Sequence, residues 1–336
     1  MTIRQIAELH GVAPSTVSLV LNDKPGVRKE TRLKIQKTLI ENGYQIKTPV
    51  SQNGDILFIY YKSTDYLAAR KDDTISSILG GIGEVCSEKN YTFSVCNANP
   101  NNIDEILTSV SADTHCGIVF LGTEYYDSPS DSFFHPSVPL VILDGFFPEY
   151  PLNTVNINNS YGVHQAISLL IANGHDKIGY LKSSIEFGCL RDRADCVYQS
   201  LARFEKFKPD CLIQVEQETD LIQQTVFDYL STHKDIPSAF FADNDMIAIA
   251  SIQAFQRFGY RVPEDISIIG FDDSNICTIF PPHLTTVHTH MGEMARMATA
   301  RLIDLIEKEQ KSFIQSTVGT HLIERQSVMP KKKLSE

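Results

Sequence analysis

Nine short apolar runs, most of them separated by amphipathic helical stretches, constrain this chain more than any other feature. In order they are DILFIYY (55–61), YTFSVC (91–96), CGIVFLG (116–122), PLVILDG (139–145), TVNIN (154–158), KIGYLKS (177–183), DCLIQV (210–215), SAFFAD (238–243) and ISIIGFDD (266–273). The stretches between them include SYGVHQAISLLIANG and MIAIASIQAFQRFG, each with an apolar helical face. Strands that are apolar throughout, rather than at alternate positions, are covered on both faces; alternating with helices, they form parallel sheets. Nine or more such strands fit two doubly wound lobes better than one, so the expected class is α/β.

The first fifty residues follow a different pattern. They carry eight Lys/Arg and four Asp/Glu, net +4, in a chain of net charge −11, so the remainder carries −15. A small basic head on an acidic body points to the head alone meeting a polyanion. Ile3, Ile6 and Ala7 share one helical stripe, Gly11 suits a tight turn, and Pro14 suits a first helical position. In GVAPSTVSLVLN (11–22), Val17, Val20 and Leu21 form the inward stripe of a second short helix. Its other face presents Ser15, Thr16, Ser18, Leu19 and Asn22. A third helix is expected over about 29–42, with Ile35 and Leu39 inward. This is the three-helix, helix-turn-helix pattern. Small hydroxyl-bearing side chains permit close approach in a major groove about 12 Å wide. Arg4, Lys24, Arg28, Lys29 and Arg32 can meet phosphates around them. Spacing alone leaves open a plain three-helix cap with a polar face.

The residues TIRQIAELHGVAPSTVSLVLNDKPGVRKETRLKIQKTLIENGY resemble the DNA-binding head of the LacI/GalR family of bacterial transcriptional repressors, with GV-x-x-x-TVS-x-VLN and V-x-x-x-TR at family spacing. The resemblance implies double-stranded operator DNA as a partner. It places Thr16, Ser18, Asn22, Thr31 and Tyr44 on the phosphate backbone, and Pro14, Ser15 and Leu19 at base edges. Three positions depart from the family pattern. Ala13 stands where a capping Ser is usual, Arg28 where a Ser or Thr caps the third helix, and Leu19 where the family usually has a guanine-reading Arg. The link QIKTPVSQNGD is about one helical turn shorter than in the family. It lacks the Leu that wedges into the minor groove, and Pro49 and Gly54 oppose a regular helix.

In open α/β sheets, ligands bind beyond the carboxyl ends of strands. There this chain places Asp144, then Asp243, Asn244 and Asp245, and then Asp272 and Asp273; Arg191 and Arg193 follow GYLKS. Carboxylates, an amide and a guanidinium together suit a neutral polyol. Each Asp or Asn can equally be a helix N-cap. FADNDMIAIASIQAFQRFGYRVPEDISIIGFDDS and PPHLTTVHT resemble two further segments of the same family, whose body is similar to two-lobed periplasmic sugar-binding proteins. By that resemblance Asp144, Arg193, Asn244 and Asp272 hold the effector, and Thr289 lies at a variable pocket position. Leu221 replaces a common stacking aromatic. With no Trp in the chain, stacking falls to Phe146, Phe147, Phe271 or a Tyr, or is absent.

The expected organisation is a head at 1–46, a short linker at 47–54 without a typical hinge helix, an effector-binding and dimerisation body at 55–330, and a tail at 331–336. Within the body, lobe one is expected at about 54–159 and 292–309, and lobe two at about 160–288 and 317–328. A two-fold operator needs two heads, so a homodimer is expected; the tail has no Leu heptads for a tetramer. Whether the effector releases or promotes DNA binding is not encoded in any motif.

Other classes find little support. GGIGEVC (80–86) lacks the third Gly of a dinucleotide fingerprint and does not lie in the first strand's turn. There is no GxSxG, and His288-Thr289-His290 has no evident third ligand, so neither an enzyme nor a metal or other cofactor is expected. Seven cysteines without a CxxC read as reduced thiols. No apolar run approaches the ~20 residues of a membrane span, and MTIRQIAELHG lacks a signal-peptide core, so a cytoplasmic location is expected.

Overall fold

The computed structural model describes residues 1–21, 26–28, 31–32, 34–35, 38–39, 42, 44, 53–63, 73–125, 129–205, 211–308 and 312–331. The chain divides into two compact units, Met1–Gly54 with Lys89–Thr92, and Asp55–Glu88 with Phe93–Glu336.

In the first unit, helix Ile3–Leu9 starts at a reciprocal cap. The Thr2 hydroxyl accepts from the Gln5 amide at 3.4 Å, and Gln5 Oε1 accepts from the Thr2 amide at 2.7 Å. Gly11 makes the turn at φ +61°. Helix Pro14–Leu21 has no side-chain acceptor at Ala13; instead the Ala13 carbonyl receives the Thr16 and Val17 amides. Residues 31–32, 34–35 and 38–39 are helical. Ile6, Ala7, Val17, Val20, Ile35 and Leu39 form the buried core, and the His10 ring bonds the Thr38 hydroxyl at 2.8 Å across it. With so few apolar residues, the loss of one large one, at about 2–5 kcal/mol, would be a large share of the unit's stability.

The second unit holds two six-stranded sheets. The strands are β1 (Asp55–Tyr61), β2 (Thr92–Ala98), β3 (Gly117–Leu121), β4 (Leu140–Leu143), β5 (Thr154–Ile157), β6 (Ile178–Ser183), β7 (Leu212–Val215), β8 (Ala239–Ala242), β9 (Ser267–Asp272), β10 (Thr285–His288), β11 (Gln315–Val318) and β12 (His321–Ile323). Sheet one runs β11-β5-β4-β3-β1-β2 and sheet two runs β12-β10-β9-β8-β6-β7. Neighbours pair in parallel along β5, β4, β3 and β1 and along β10, β9, β8, β6 and β7, whereas β12 lies antiparallel on β10. The α/β class with two doubly wound lobes is the one observed. β3, β4 and β8 are buried at every residue, as their unbroken apolar runs require.

Among the described residues the chain passes between the lobes three times. After β5 it enters helix Asn159–Ala172, which packs on strands of sheet two; after β10 it enters helix Met291–Lys308, which packs on sheet one; the third passage is Gly319–Thr320, between β11 and β12. One last strand near 317–328 in lobe two is therefore not what forms. Residues 315–318 pair with β5 in sheet one, and only 321–323 join sheet two. The run QSTVGTHLIER has β-forming residues on both sides of a single Gly, so its pattern conceals the change of sheet.

GGIGEVC lies within helix Asp73–Glu88, and its glycine has a use there. A Cβ on Gly81 would come within 2.3 Å of the Gly292 carbonyl oxygen, so this residue allows helices Asp73–Glu88 and Met291–Lys308 to touch. All seven cysteines are free thiols.

Candidate functional site

Two places combine chemistry with access: the outer face of helix Pro14–Leu21 and the cleft at the carboxyl ends of the two sheets. On the helix, burial of Val17 and Val20 turns Pro14, Ser15 and Ser18 outward, while Thr16 and Leu19 are half-buried. Leu19 leans over the turn at Gly26. Thr31, Arg32 and Tyr44 are half-buried. The Tyr44 hydroxyl donates to the Met1 carbonyl at 2.9 Å, and the Met1 ammonium to Asn42 Oδ1 at 3.1 Å, so the first residue is tied to Asn42 and Tyr44. Asn22 and residues 45–52, which include most of the linker, lie outside the described residues.

In the cleft, each sheet delivers a carboxylate on an unusual backbone. Asp144 follows β4 at φ +53° and accepts from the Thr123 hydroxyl at 2.7 Å; Asp272 ends β9 at φ +112°. Arg193 projects from helix Gly188–Arg203 and is only 1% exposed. Its Nε donates to Asn159 Oδ1 at 3.1 Å, its Nη1 to the Asp243 carbonyl, and its Nη2 lies 3.9 Å from Asp272 Oδ1. The guanidinium stacks 3.7 Å above the centre of the Phe271 ring. Phe271 is itself completely buried. Proposed from sequence as an effector contact, it is placed behind the arginine, supporting it. Phe147 is likewise buried in the lobe-one core. Phe146 is the exposed aromatic of the three, and it lies against Gly188 at the start of the Arg193 helix.

Asn244 does cap a helix: its Oδ1 accepts from the Ile247 amide at 2.9 Å. That same Asn244, with Asp272 and Thr289, lines a cavity of about 630 Å³ bounded across the cleft by Thr74, Ser77 and Met291. The described lining includes Asp245, Asp272, Asp273 and Glu293, and no Lys or Arg. Asp245 accepts from the Ser274 amide and hydroxyl and from the Thr286 hydroxyl. Burial, reinforced by the nearby Asp272 charge, pushes its carboxyl up to about 6. Asp243 is also raised by burial, although Tyr180 and the Ser183 amide bond it at 2.5 and 2.7 Å. Among the described residues, no three His, Cys, Asp or Glu side chains are placed to hold a metal ion.

The comparisons decide what kind of protein carries these two faces. Residues 2–46 match the profile "Bacterial regulatory proteins, lacI family", and residues 167–328 match "Periplasmic binding protein-like domain". The chain belongs to the lacI family. It is a DNA-binding transcriptional regulator and not an enzyme. Similar relatives include the HTH-type transcriptional repressor PurR of Photobacterium profundum, 26% identical over 97% of this chain and 98% of the relative. Another is the HTH-type transcriptional regulator KdgR of Bacillus subtilis, 25% identical over 92% of each. Solved structures of the same fold include the transcriptional regulator CelR–cellobiose complex, with TM-score 0.71, 24% identity, and coverage of 97% of this chain and 99% of that one. The Lac repressor bound to ONPG in the repressed state has TM-score 0.71, 21% identity and coverage of 97% and 99%. No helix among the described residues is long and apolar enough to cross a membrane.

In this lacI-family member, Asn159 is the cleft residue that sequence reasoning passed over. It bonds Arg193 and also donates to Asp192 Oδ2 at 2.7 Å. Its signal was available, since it directly follows TVNIN, beyond the carboxyl end of a strand. Thr123, the partner of Asp144, had a similar position after CGIVFLG.

Proposed function

We propose that the chain is a repressor that binds a two-fold operator as a homodimer, through Pro14, Ser15, Thr16, Ser18, Leu19, Asn22, Thr31, Arg32 and Tyr44. On this reading the cleft takes a neutral polyhydroxy effector, a sugar or sugar derivative, held by Asp144, Arg193, Asn244, Asp272 and Thr289. The observation that carries the reading is the buried Arg193, backed by Phe271 and set 3.9 Å from Asp272, which with Asn244 and Thr289 lines a cavity of mixed polar and apolar character that includes Met246, Ile276 and Phe280. Carboxylates accept from vicinal hydroxyls and the guanidinium donates to them, whereas four acidic residues in the lining oppose a phosphorylated ligand. Ligand bound between the lobes favours one lobe arrangement, and operator affinity follows that population. The linker, lacking a Leu, does not wedge the central base step.

A thermal-shift screen of neutral sugars, sugar phosphates and nucleobases on the full chain tests the effector class. A true effector at a hundred times its Kd adds about 2.7 kcal/mol of stability. The reading expects neutral sugars alone to raise the melting temperature, and to change operator retention in a gel. A response confined to phosphates or bases overturns it. The DNA arm is checked by salt: log K for operator should fall by about 0.9 per phosphate contact for each unit of log salt. A flat response rules out the head as the DNA-binding face.

A further inference from the structure

Three histidines sit where the chain passes between the lobes. His288 closes β10, His290 lies on the passage from β10 to helix Met291–Lys308, and His321 opens β12 just after Gly319–Thr320. His288 and His321 face each other in the antiparallel β10–β12 register. The ring centroids are 4.5 Å apart for His288 and His290, 4.9 Å for His290 and His321, and 5.1 Å for His288 and His321. His290 Nε2 lies 2.9 Å from His321 Nδ1. Two of the three passages are thus joined through imidazoles, and His288 and His290 also line the cleft cavity.

We propose that His288, His290 and His321 form a proton-sensitive clamp on these passages, which holds the lobes in their present arrangement when neutral and releases them on acidification. The chemistry is that of paired imidazoles. A hydrogen bond between two ring nitrogens needs one N–H and one lone pair, so it survives with at most one added proton and is lost when both rings are charged. The His288 Nδ1 lies 2.9 Å from Asp273 Oδ2. A charge on any one of the three rings stands beside both of the others. Among the described residues, the other charged neighbours are Asp273 and Asp272 at the end of β9, Arg325 after β12, and Glu293 in the first turn of helix Met291–Lys308. Arg325 pairs with Asp273 at 2.6 Å, and Arg193 lies by Asp272. In the described lining of the cavity, helix Asp73–Glu88 contributes the neutral Thr74 and Ser77.

His290 holds its proton less readily than a free imidazole, chiefly through burial and then through His288 and His321, while Glu293 opposes them. A histidine whose pKa is depressed in one arrangement binds more protons when that arrangement opens. The clamp is therefore intact above the ordinary histidine pKa of about 6.5 and weakens as the pH falls below it. This inference does not depend on what the cleft binds.

Hydrogen–deuterium exchange of the effector-free full chain at pH 7.5 and 5.5, corrected for intrinsic exchange, tests it. In wild type, amide protection over 285–294 and 318–324 should fall severalfold at pH 5.5, while β6 and β8 keep theirs. His321→Gln should show a much smaller drop, because the bond between the two passages no longer joins two imidazoles and the remaining pair, His288 and His290, lies on one passage. His321 is exposed, so His321→Lys should fold and show low protection over both segments already at pH 7.5. Equal protection at both pH values in wild type overturns the proposal without recourse to a variant. So does a full drop retained in His321→Gln, or wild-type protection in His321→Lys.

Discussion

The two lobes are built on one plan and equipped differently. Their strand orders are the same, so that β4 of sheet one corresponds to β9 of sheet two, and β3 to β8. Asp144 and Asp272 then occupy matching places, and both sit at positive φ, which costs about 1–3 kcal/mol each. Past β3 the chain reads Gly122-Thr123-Glu124, and past β8 Asp243-Asn244-Asp245. Lobe two adds the buried Arg193 on its aromatic support. Behind its carboxylate lobe one has an aromatic cluster, with Phe120 edge-on to Tyr125 and Phe133 at 5.7 and 5.1 Å. Under the proposed function, this difference predicts a division of labour in which lobe two supplies most of the effector contacts and lobe one fewer.

The most severe test of that division is Arg193→Ala. It removes a buried charge from beside Asp272 and leaves Asn159 Oδ1 and the Asp243 carbonyl without their donor, so stability should fall by about 3–5 kcal/mol in urea melts. Effector affinity by calorimetry should fall about a hundredfold. Asp144→Ala, the matching change in lobe one, removes one carboxylate contact worth about 1.5–3 kcal/mol and should weaken effector binding nearer tenfold. Equal losses in the two variants would end the asymmetry. Gly81→Ala probes the frame of lobe one rather than its cleft. Its Cβ meets the Gly292 carbonyl, so a stability loss of about 1–3 kcal/mol is expected, with affinity per folded molecule unchanged. Asn244 carries the smallest effect. Asn244→Ala should cost about 1 kcal/mol for the lost cap, and Asn244→Ser should restore most of it. If Asn244→Ser binds effector as tightly as wild type, Asn244 is a cap and nothing more.

The nine apolar runs in the sequence mark β1 to β9 with end points that shift by only one or two residues, because strands covered on both faces leave an unbroken apolar signature. The cleft carboxylates could be found because they stand just past such runs. Phe271 misled because its place in GFDD sets it next to a ligand candidate, while strand alternation points it to the opposite side, under Arg193. The partner of Arg193 on helix Asn159–Ala172 lies 34 residues away in sequence, and no local pattern encodes a contact at that separation. The third histidine was hidden for the same reason. His321 reaches His288 only through the antiparallel β10–β12 pairing, which the conspicuous His-Thr-His cannot reveal.

The passage of the chain back into lobe one near its end has a consequence for synthesis. Sheet one receives its edge strand β11 and its covering helix Met291–Lys308 only after all of β6 to β10 has been translated. A nascent chain stopped before residue 291 would expose the apolar residues of β3 and β4 that this helix covers, while most of lobe two's sheet could already pair. The first lobe to be synthesised is thus the later of the two to be completed. Truncated or stalled chains should aggregate through lobe one, since uncovered apolar surface and unpaired strand edges drive misassembly.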